Sequence, residues 1–268
     1  MISVVIPTYN HGRYLTQAVE SVWEQKGPAR EVVVIDDGST DGTQTVLRLL
    51  SSRGNLRWAS QPNAGPAAAR NRGIRESQGE WIAFLDGDDY WLPGKLEAQW
   101  RAIEKSGGDF VYCGVVIADD EGKVLSTLPA VSTQCLASNL VWGNVISTPT
   151  VMVHRDVLKK VGLFDESLRI AEDWDLWLRL AVYSRGLCVT EPLVAVRAGD
   201  WYEKGYQIRL QELAIPHVLE RFFAMLRGRE EHTLISQQEG RVWSWHLSQI
   251  AKAYLHRRNT VSYTHLRA

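Results

Sequence analysis

The chain has 268 residues, 45% of them hydrophobic and 23% charged, a composition typical of a globular protein. Its 30 basic and 31 acidic side chains leave a formal net charge of −1, so no overall field would attract nucleic acid. Three cysteines without paired spacing argue against a disulfide framework and a zinc site. No apolar run is long enough to span a bilayer, so we expect a cytoplasmic protein, and peripheral attachment to the inner face of a membrane stays open.

The first third of the chain alternates short apolar strands with amphipathic helices. The pattern predicts strands at 3–6, 31–36, 56–60 and 81–85, and helices at 14–24, around Val46–Leu50 and at about 66–77. Asp41 with Gln44 three residues later could cap the second of these helices. Strands and helices that alternate in this way imply a mostly parallel sheet.

The pattern is looser in the rest of the chain. It predicts a helix from Pro93 to about Lys105, strands at 110–117, 150–154 and 187–197, a hairpin-like return at 119–122, and helices at 155–162 and 172–184. From about Tyr206 onward the sequence is helical and polar. We therefore divide the chain into an α/β domain at 1–200, a helical C-terminal extension at 201–260, and a disordered or non-native tail at 261–268.

Polar residues follow three of the predicted strands. They are Thr8–Asn10, Asp36–Ser39 and Asp86–Asp89, and parallel sheets bind ligands at such strand ends. The three carboxylates within Asp86–Asp89 repel one another unless a cation lies between them, and oxygen ligands suit Mg²⁺ or Mn²⁺. An acidic turn is the alternative interpretation, because Asp and Gly are also common turn formers.

Five motifs occur in the order that is seen in family 2 glycosyltransferases, which the chain resembles over roughly residues 2–200. The motifs are Val4–Asn10, Val34–Asp41, Asn63–Asn71, Phe84–Asp89 and Glu172–Trp177. The resemblance implies a GT-A fold, that is, a Rossmann-like, mostly parallel sheet with flanking helices. It also implies a nucleotide-sugar donor, a divalent metal (Mn²⁺ or Mg²⁺) and inversion at the anomeric carbon.

The resemblance assigns several residues to the donor. Asp37 would accept the N–H of uracil, and Pro7 and Tyr9 would line the base pocket. Gly65 opens a helix through a turn beside the nucleotide, and Arg70 could offset the charge of the pyrophosphate. The alternative for this helix is close packing on the sheet through alanines, with solvated arginines.

Asp36 and Asp41 fit a structural interpretation at least as well as a functional one. Both stand in a turn-rich segment before a helix, where Asp commonly accepts backbone N–H bonds.

The resemblance also assigns the metal ligands and the base. Asp88 would contact the metal directly, and Asp86 would bind the ribose or the metal, whereas Asp89 could orient its neighbours or cap the next helix. Asp173 resembles the general base that takes the proton from the acceptor hydroxyl, and Glu172 would position the base or the acceptor. Ordinary first-turn acids at a helix N-terminus are the alternative for this pair.

Tryptophans could border the acceptor cleft, because sugar rings pack well on large aromatics. The candidates are Trp91 and Trp174, together with Trp142 and Trp201, and for each of them a place in the core is the alternative. Arg197–Asp200 departs from the Arg-x-His pattern that is frequent in relatives after the last strand, which leaves late metal or diphosphate contacts open.

The sequence therefore favours an inverting, hexosyltransferase-like enzyme that uses a UDP-sugar and a glycan or lipid-linked acceptor. A sugar-nucleotide pyrophosphorylase should instead carry a Gly-rich phosphate loop followed by Arg and Lys, which Pro7–Arg13 does not resemble. A non-catalytic sugar-nucleotide-binding module would keep Asp37 and Asp88 without needing Asp173.

An amphipathic segment near the C-terminus carries Trp243, Leu247, Ile250 and Tyr254 at near-helical spacing. We expect it to pack on the domain, with dimerisation or contact with a membrane surface as alternatives. The pattern carries no signal for a particular oligomeric state.

Overall fold

The computed structural model describes residues 1–28, 30–134, 136–198, 206–229 and 233–265. Trp201, one of the tryptophans considered for the acceptor cleft, lies outside the described residues.

Nine strands form one sheet in the described part of the chain. They are β1 (Ile2–Thr8), β2 (Arg30–Asp36), β3 (Leu56–Ser60), β4 (Trp81–Phe84), β5 (Tyr90–Trp91), β6 (Phe110–Ala118), β7 (Val124–Leu128), β8 (Met152–His154) and β9 (Gly186–Arg197). The order across the sheet is β3-β2-β1-β4-β8-β6-β9-β5, and β7 pairs with β6. Strands β1, β2, β3, β4, β6 and β9 run one way and β5, β7 and β8 run the other, which confirms the predicted mostly parallel sheet.

Helices flank the sheet on both faces. They are α1 (Gly12–Trp23), α2 (Thr43–Ser51), α3 (Pro66–Glu76), α4 (Lys95–Ser106), α5 (Leu136–Leu140), α6 (Arg155–Val161), α7 (Glu172–Tyr183), α8 (Tyr206–Leu226), α9 (Thr233–Ser236) and α10 (Glu239–His265). The predicted helices are all present, whereas β5 and α5 were not predicted, because two and five residues carry too little periodicity. The strand predicted at 150–154 begins later than expected, since a 3₁₀ turn occupies Thr148–Thr150.

The sheet separates two hydrophobic cores because successive side chains of a strand point to opposite faces. In β1, Val4 and Ile6 pack with α1 and α2, whereas Val5 packs in the core that contains α7 and α8. The continuous apolar run of β1 is therefore buried on both faces, as parallel strands covered by helices require.

The C-terminal helices pack on the domain, which confirms the expected packing. Phe222 and Val242 belong to the same core as Trp177 of α7. The predicted apolar stripe of α10 is wrong at Leu247, which is 55% exposed, whereas Ile250 is buried as predicted, together with Val242 and His246. Among the described helices, none is both long enough and apolar enough to cross a bilayer.

The division at 201–260 and 261–268 stays a prediction. Helix α10 extends to His265, into the segment that was predicted as a disordered or non-native tail.

Lys95, the first residue of α4, has a fully buried side chain. Its Nζ lies 3.8 Å from the ring centroid of Trp91 and has no hydrogen-bond partner among the described residues. Burial lowers the pKa of Lys95 to about 7, whereas the pKa of this side chain in the unfolded chain is about 10.4. The unfolded state therefore binds more protons between these two values, and stability should rise with pH across that window.

We expect Lys95→Met to stabilise the protein at neutral pH by about 1–4 kcal/mol, because it removes an uncompensated buried amine and keeps the volume. The pH dependence of the melting temperature between about pH 7 and pH 10 should flatten at the same time. Thermal denaturation of both proteins across this range checks the prediction. An unchanged slope would show that Lys95 is not the group responsible.

Candidate active site

The carboxyl ends of β1, β2 and β4 open into one cavity of about 1240 Å³. All but one of the predicted site residues line it: Pro7, Tyr9, Asp37, Gly65, Arg70, Asp86, Asp88, Glu172, Asp173 and Trp174. The predicted convergence of three strand ends on one crevice is confirmed.

Trp91 is the exception, and its predicted place in the acceptor cleft is wrong. It lies in β5, is 2% exposed, and donates from Nε1 to the Pro149 carbonyl oxygen at 3.0 Å. Trp174 does line the cavity, although it is buried and its Nε1 donates to the Leu140 carbonyl at 2.6 Å.

Asp37 lines the cavity directly after β2 and contacts the loop before α3. Its carboxylate accepts from Gln61 Nε2 at 2.7 Å, from the Ala64 N–H at 3.0 Å and from the Gly65 N–H at 2.8 Å. A carboxylate has about four acceptor positions, so three of them hold the loop and one is not used by these contacts. The exposed Tyr9 and the strand-end Pro7 flank this position.

The structural interpretation of Asp36 and Asp41 is confirmed. Asp36 is fully buried and accepts from the Ser39 N–H, Gln44 Nε2 and Ser60 Oγ. Burial acts to raise the pKa of Asp36, but these donors together hold it below its ordinary value. Asp41 accepts from the Thr43 N–H at the start of α2, whereas the predicted pairing with Gln44 is wrong because Gln44 binds Asp36.

Gly65 allows the turn before α3 to pass under an arginine that the sequence motifs did not reveal. Its φ is +95°, and a Cβ at this position would lie 2.9 Å from Arg169 Nη1. Arg169 is exposed and lines the cavity. It stands in a loop outside the five motifs, so no local pattern pointed to it.

Arg70 is not the solvated arginine of the structural alternative, because it is buried, and its predicted part in offsetting the pyrophosphate charge stays a prediction. It is 5% exposed, and its Nη1 donates to Glu172 Oε1 at 2.6 Å while its Nη2 donates to Asp86 Oδ1 at 2.8 Å. Burial acts to lower the pKa of Arg70, but the two carboxylates raise it. Arg70 thus joins the strand end at Asp86 to the start of α7.

The turn at Asp86–Asp88 is packed against the end of β1. A Cβ on Gly87 would lie 2.8 Å from Thr8 Oγ1, so glycine lets the turn approach the strand. Asp88 keeps 38% of its side chain exposed, and its Oδ1 lies 3.7 Å from His11 Nδ1. Burial raises the pKa of Asp88, which His11 counteracts and Asp86 reinforces.

The donor set fits a hard divalent ion. Asp86 and Asp88 offer carboxylate oxygens to the same cavity, and no group of three or more potential ligands exists among the described residues. An ion held by one or two carboxylates and completed by water and phosphates is the usual arrangement for Mg²⁺.

Asp89 does not cap α4, whose N-cap Gly94 receives no side-chain bond. Its Oδ1 instead accepts from the Arg197 N–H at 2.9 Å. Arg197 donates from Nη1 to the Asp88 carbonyl oxygen and from Nη2 to Gln17 Oε1. This arginine therefore supports the Asp86–Asp88 turn from the side of β9.

Asp173 is held in a fixed orientation at the start of α7. Its Oδ2 accepts from Asn144 Nδ2 at 2.9 Å and Thr148 Oγ1 at 3.0 Å, and its Oδ1 accepts from the Trp174 N–H at 2.7 Å. Burial raises the pKa of Asp173, and Arg70 acts in the opposite direction. Sequence reasoning missed Asn144 and Thr148, which lie in a loop without any motif.

Glu172 is buried beside Asp173 and is bound to Arg70. Burial raises its pKa, while Arg70 lowers it. Its carboxylate is thus engaged inside the protein, and its predicted part in positioning the base or the acceptor stays a prediction.

Comparison with known sequences adds the family. Residues 3–162 match the sequence model described as glycosyl transferase family 2. The chain belongs to this family. This match agrees with the expected enzyme of the transferase class. It does not support the alternative interpretation as a sugar-nucleotide pyrophosphorylase.

Several curated relatives resemble this family 2 glycosyltransferase over much of its length. An uncharacterized glycosyltransferase of Rickettsia bellii is 35% identical over 67% of this chain and 26% of its own length. The corresponding protein RT0329 of Rickettsia typhi is 30% identical over 75% of this chain and 64% of its own. TuaG of Bacillus subtilis, a putative teichuronic acid biosynthesis glycosyltransferase, is 29% identical over 71% of this chain and 78% of its own. The chain thus spans less than two thirds of the first two relatives.

Solved structures confirm the GT-A fold. S. aureus TarS 1–349 in complex with UDP-GlcNAc has a TM-score of 0.71 at 23% identity, covering 92% of this chain and 70% of that one. The mannosyltransferase PcManGT of Pyrobaculum calidifontis in complex with GDP-Man and Mn²⁺ has a TM-score of 0.65 at 18% identity, covering 96% and 75%.

The C-terminal helix of this glycosyltransferase also lines the cavity, which sequence reasoning did not foresee. Trp245, His246 and Gln249 of α10 line it together with Trp142, whose ring centroid lies 6.0 Å from that of Trp245. Trp245 and Gln249 are four residues apart on a long polar helix, and this spacing alone does not indicate that they line a cavity. The surface that the helix contacts at Val141 lies about a hundred residues earlier in the chain.

Proposed function

We propose that this glycosyltransferase moves a sugar from a UDP-sugar to a hydroxyl of a glycan or lipid-linked acceptor, in a single displacement that inverts the anomeric carbon. The observation that carries the proposal is one cavity that is lined by Asp37, the Asp86–Asp88 turn and Asp173 together. A donor with its base at Asp37 and its phosphates at the turn would present C1 towards Asp173.

The choice of UDP rests on two supports. Asp37 has an acceptor position left for a base N–H, and the fold is shared with a protein that binds UDP-GlcNAc. PcManGT has a similar fold and binds GDP-Man, so GDP is the comparison that an experiment must include.

Asp173 would act as the general base. As the acceptor oxygen forms a bond to C1, its proton passes to Asp173, and the bond from C1 to the phosphate oxygen breaks. Asn144 and Thr148 would orient the carboxylate through their bonds to Oδ2. A raised pKa makes the carboxylate a better proton acceptor, and base catalysis of this kind contributes about 10² to 10⁴ in rate.

Asp88 and Asp86 would hold Mn²⁺ or Mg²⁺ against the diphosphate. When bound, the ion neutralises charge that develops on the departing nucleoside diphosphate. Arg169 would add a positive charge beside Gly65, because it is exposed in the cavity whereas both terminal nitrogens of Arg70 are bonded to carboxylates.

A lipid-linked acceptor would bring the reaction to a membrane surface. We therefore propose a cytoplasmic enzyme that attaches peripherally to the inner face of the membrane when it uses such an acceptor.

A thermal-shift series with UDP, GDP and Mn²⁺ tests the donor and metal assignments. We expect UDP with Mn²⁺ to raise the melting temperature by several degrees, because a ligand at about 100 times its Kd stabilises the native state by about 2.7 kcal/mol. Asp88→Asn should lose the part of the shift that depends on Mn²⁺ and keep the part due to UDP alone.

Asp156→Asn is the matched control, since Asp156 is an exposed carboxylate outside the cavity. A shift by GDP that exceeds the shift by UDP would overturn the choice of UDP. Equal Mn²⁺ effects in wild type and Asp88→Asn would overturn the metal assignment.

A further inference from the structure

Two cavities meet at a pair of tryptophans. Trp142 and Trp245 line the large cavity that contains Asp173, and both also line a second cavity of about 660 Å³. Their ring centroids are 6.0 Å apart and their planes make an angle of 89°. The pair therefore forms a wall that is shared by the cavity of the candidate base and the second cavity.

The wall is fixed in place although Trp245 is 40% exposed. The next residue of α10, His246, is buried and its Nε2 lies 2.9 Å from the carbonyl oxygen of Val141, the neighbour of Trp142. The ring of His246 also lies edge-on to Trp245, with centroids 4.7 Å apart. A rigid aromatic surface that is left exposed suits a ligand with an apolar face.

The second cavity is an open depression on the surface whose lining has the chemistry for one sugar unit. Gln237 and Ser244 offer polar groups for hydroxyls. Arg241 is the one charged side chain that lines it in the described part of the chain, so the cavity does not repel acidic sugars.

We propose that α10 provides an acceptor subsite for a glycan of at least two sugar units. The terminal unit presents its hydroxyl to Asp173, a sugar ring stacks on the Trp142–Trp245 wall, and the chain continues into the second cavity. The inference rests on the proposed function, because it takes Asp173 as the group that the reacting hydroxyl approaches. It goes further by setting the length of the acceptor and the residues that select it.

Binding to an array of mono- to tetrasaccharides, measured with UDP and Mn²⁺ present, tests the subsite. Wild type should bind di- and longer saccharides more tightly than the matching monosaccharides. Trp245→Ala should weaken binding of the longer saccharides about tenfold, since it removes the stacking surface, and should lose the dependence on length. Trp245→Phe should restore part of the binding because it keeps a ring.

Leu247→Ala is the control, since Leu247 is exposed on the same helix and lines neither cavity. Unfolding midpoints without ligand show that each variant is folded. Equal binding by wild type and Trp245→Ala, or no oligosaccharide binding by a wild type that still responds to UDP and Mn²⁺, would overturn the subsite and leave the proposed function standing. A wild type that does not respond to UDP would overturn the proposed function.

Discussion

Asp173→Asn should reduce sugar transfer by about 10² to 10⁴-fold while UDP still binds, because asparagine keeps the shape of the side chain but cannot take the proton. The change should appear in kcat, since the lost interaction is made in the transition state. Nucleotide release in a steady-state assay measures the rate, and the thermal shift with UDP and Mn²⁺ measures donor binding. Wild-type transfer by the variant would show that another group is the base.

The pH profile gives a second readout of the same residue. Burial raises the pKa of Asp173 above its ordinary value of about 3.9, so protonation disables the base at a higher pH than for an exposed aspartate. The rate of the wild type should therefore fall as the pH is lowered through this raised pKa. Asp173→Asn should lack that acid limb, which a variant that is merely destabilised would retain.

A substitution at Asn144 tests whether the orientation of Asp173 contributes to the rate in addition to proton transfer. Asn144→Ala removes one donor to Asp173 Oδ2, so it should slow transfer in the presence of Asp173. In the Asp173→Asn background the same change should have little further effect, because groups that act as a unit are not additive.

The fold was predictable where the chain encodes it locally. Buried strands such as β1 and β2 are continuous apolar runs, and each helix of the first half has its own amphipathic spacing. Strand β5 had no such signal, because its two residues form a strand only by pairing with Ala195 and Val194 of β9. The prediction for Trp91 failed for the same reason, because the residues that bury it are distant in the sequence.

The site was likewise predictable only where short stretches of sequence encode it. Asp86, Asp88 and Asp173 stand in motifs that can be read within a few residues, and the structure brings them to one cavity. The contact that joins Asp86 to the start of α7 was not predictable, because Arg70 bonds Glu172, which lies 102 positions later in the chain. Asn144 contacts Asp173 from a loop whose sequence has no pattern of its own.

Replacing Arg70 by Met should destabilise the protein by about 3–5 kcal/mol, because it breaks one buried and one partly buried ion pair and leaves their carboxylates without this partner. Glu172 would carry the larger part of this cost, since only 8% of its side chain is exposed compared with 25% for Asp86. Arg70→Lys should have an intermediate effect, because one ammonium group cannot reproduce two bonds from a planar fork. Denaturant unfolding of the three proteins measures the differences.

The loss of stability in Arg70→Met through broken ion pairs can be distinguished from a loss through poorer packing. Burial already raises the pKa of Glu172, and removing the arginine removes the charge that lowers it. The folded variant would then hold a proton that the unfolded chain releases above about pH 4.3, so its stability should fall more steeply with rising pH than that of the wild type. Glu172→Gln in the Arg70→Met background should recover part of the stability and remove this additional slope, because no buried charge is left at position 172. If the double variant were as unstable as Arg70→Met at every pH, the arginine would act mainly by filling space, and the ion pairs would not be what joins Asp86 to the start of α7.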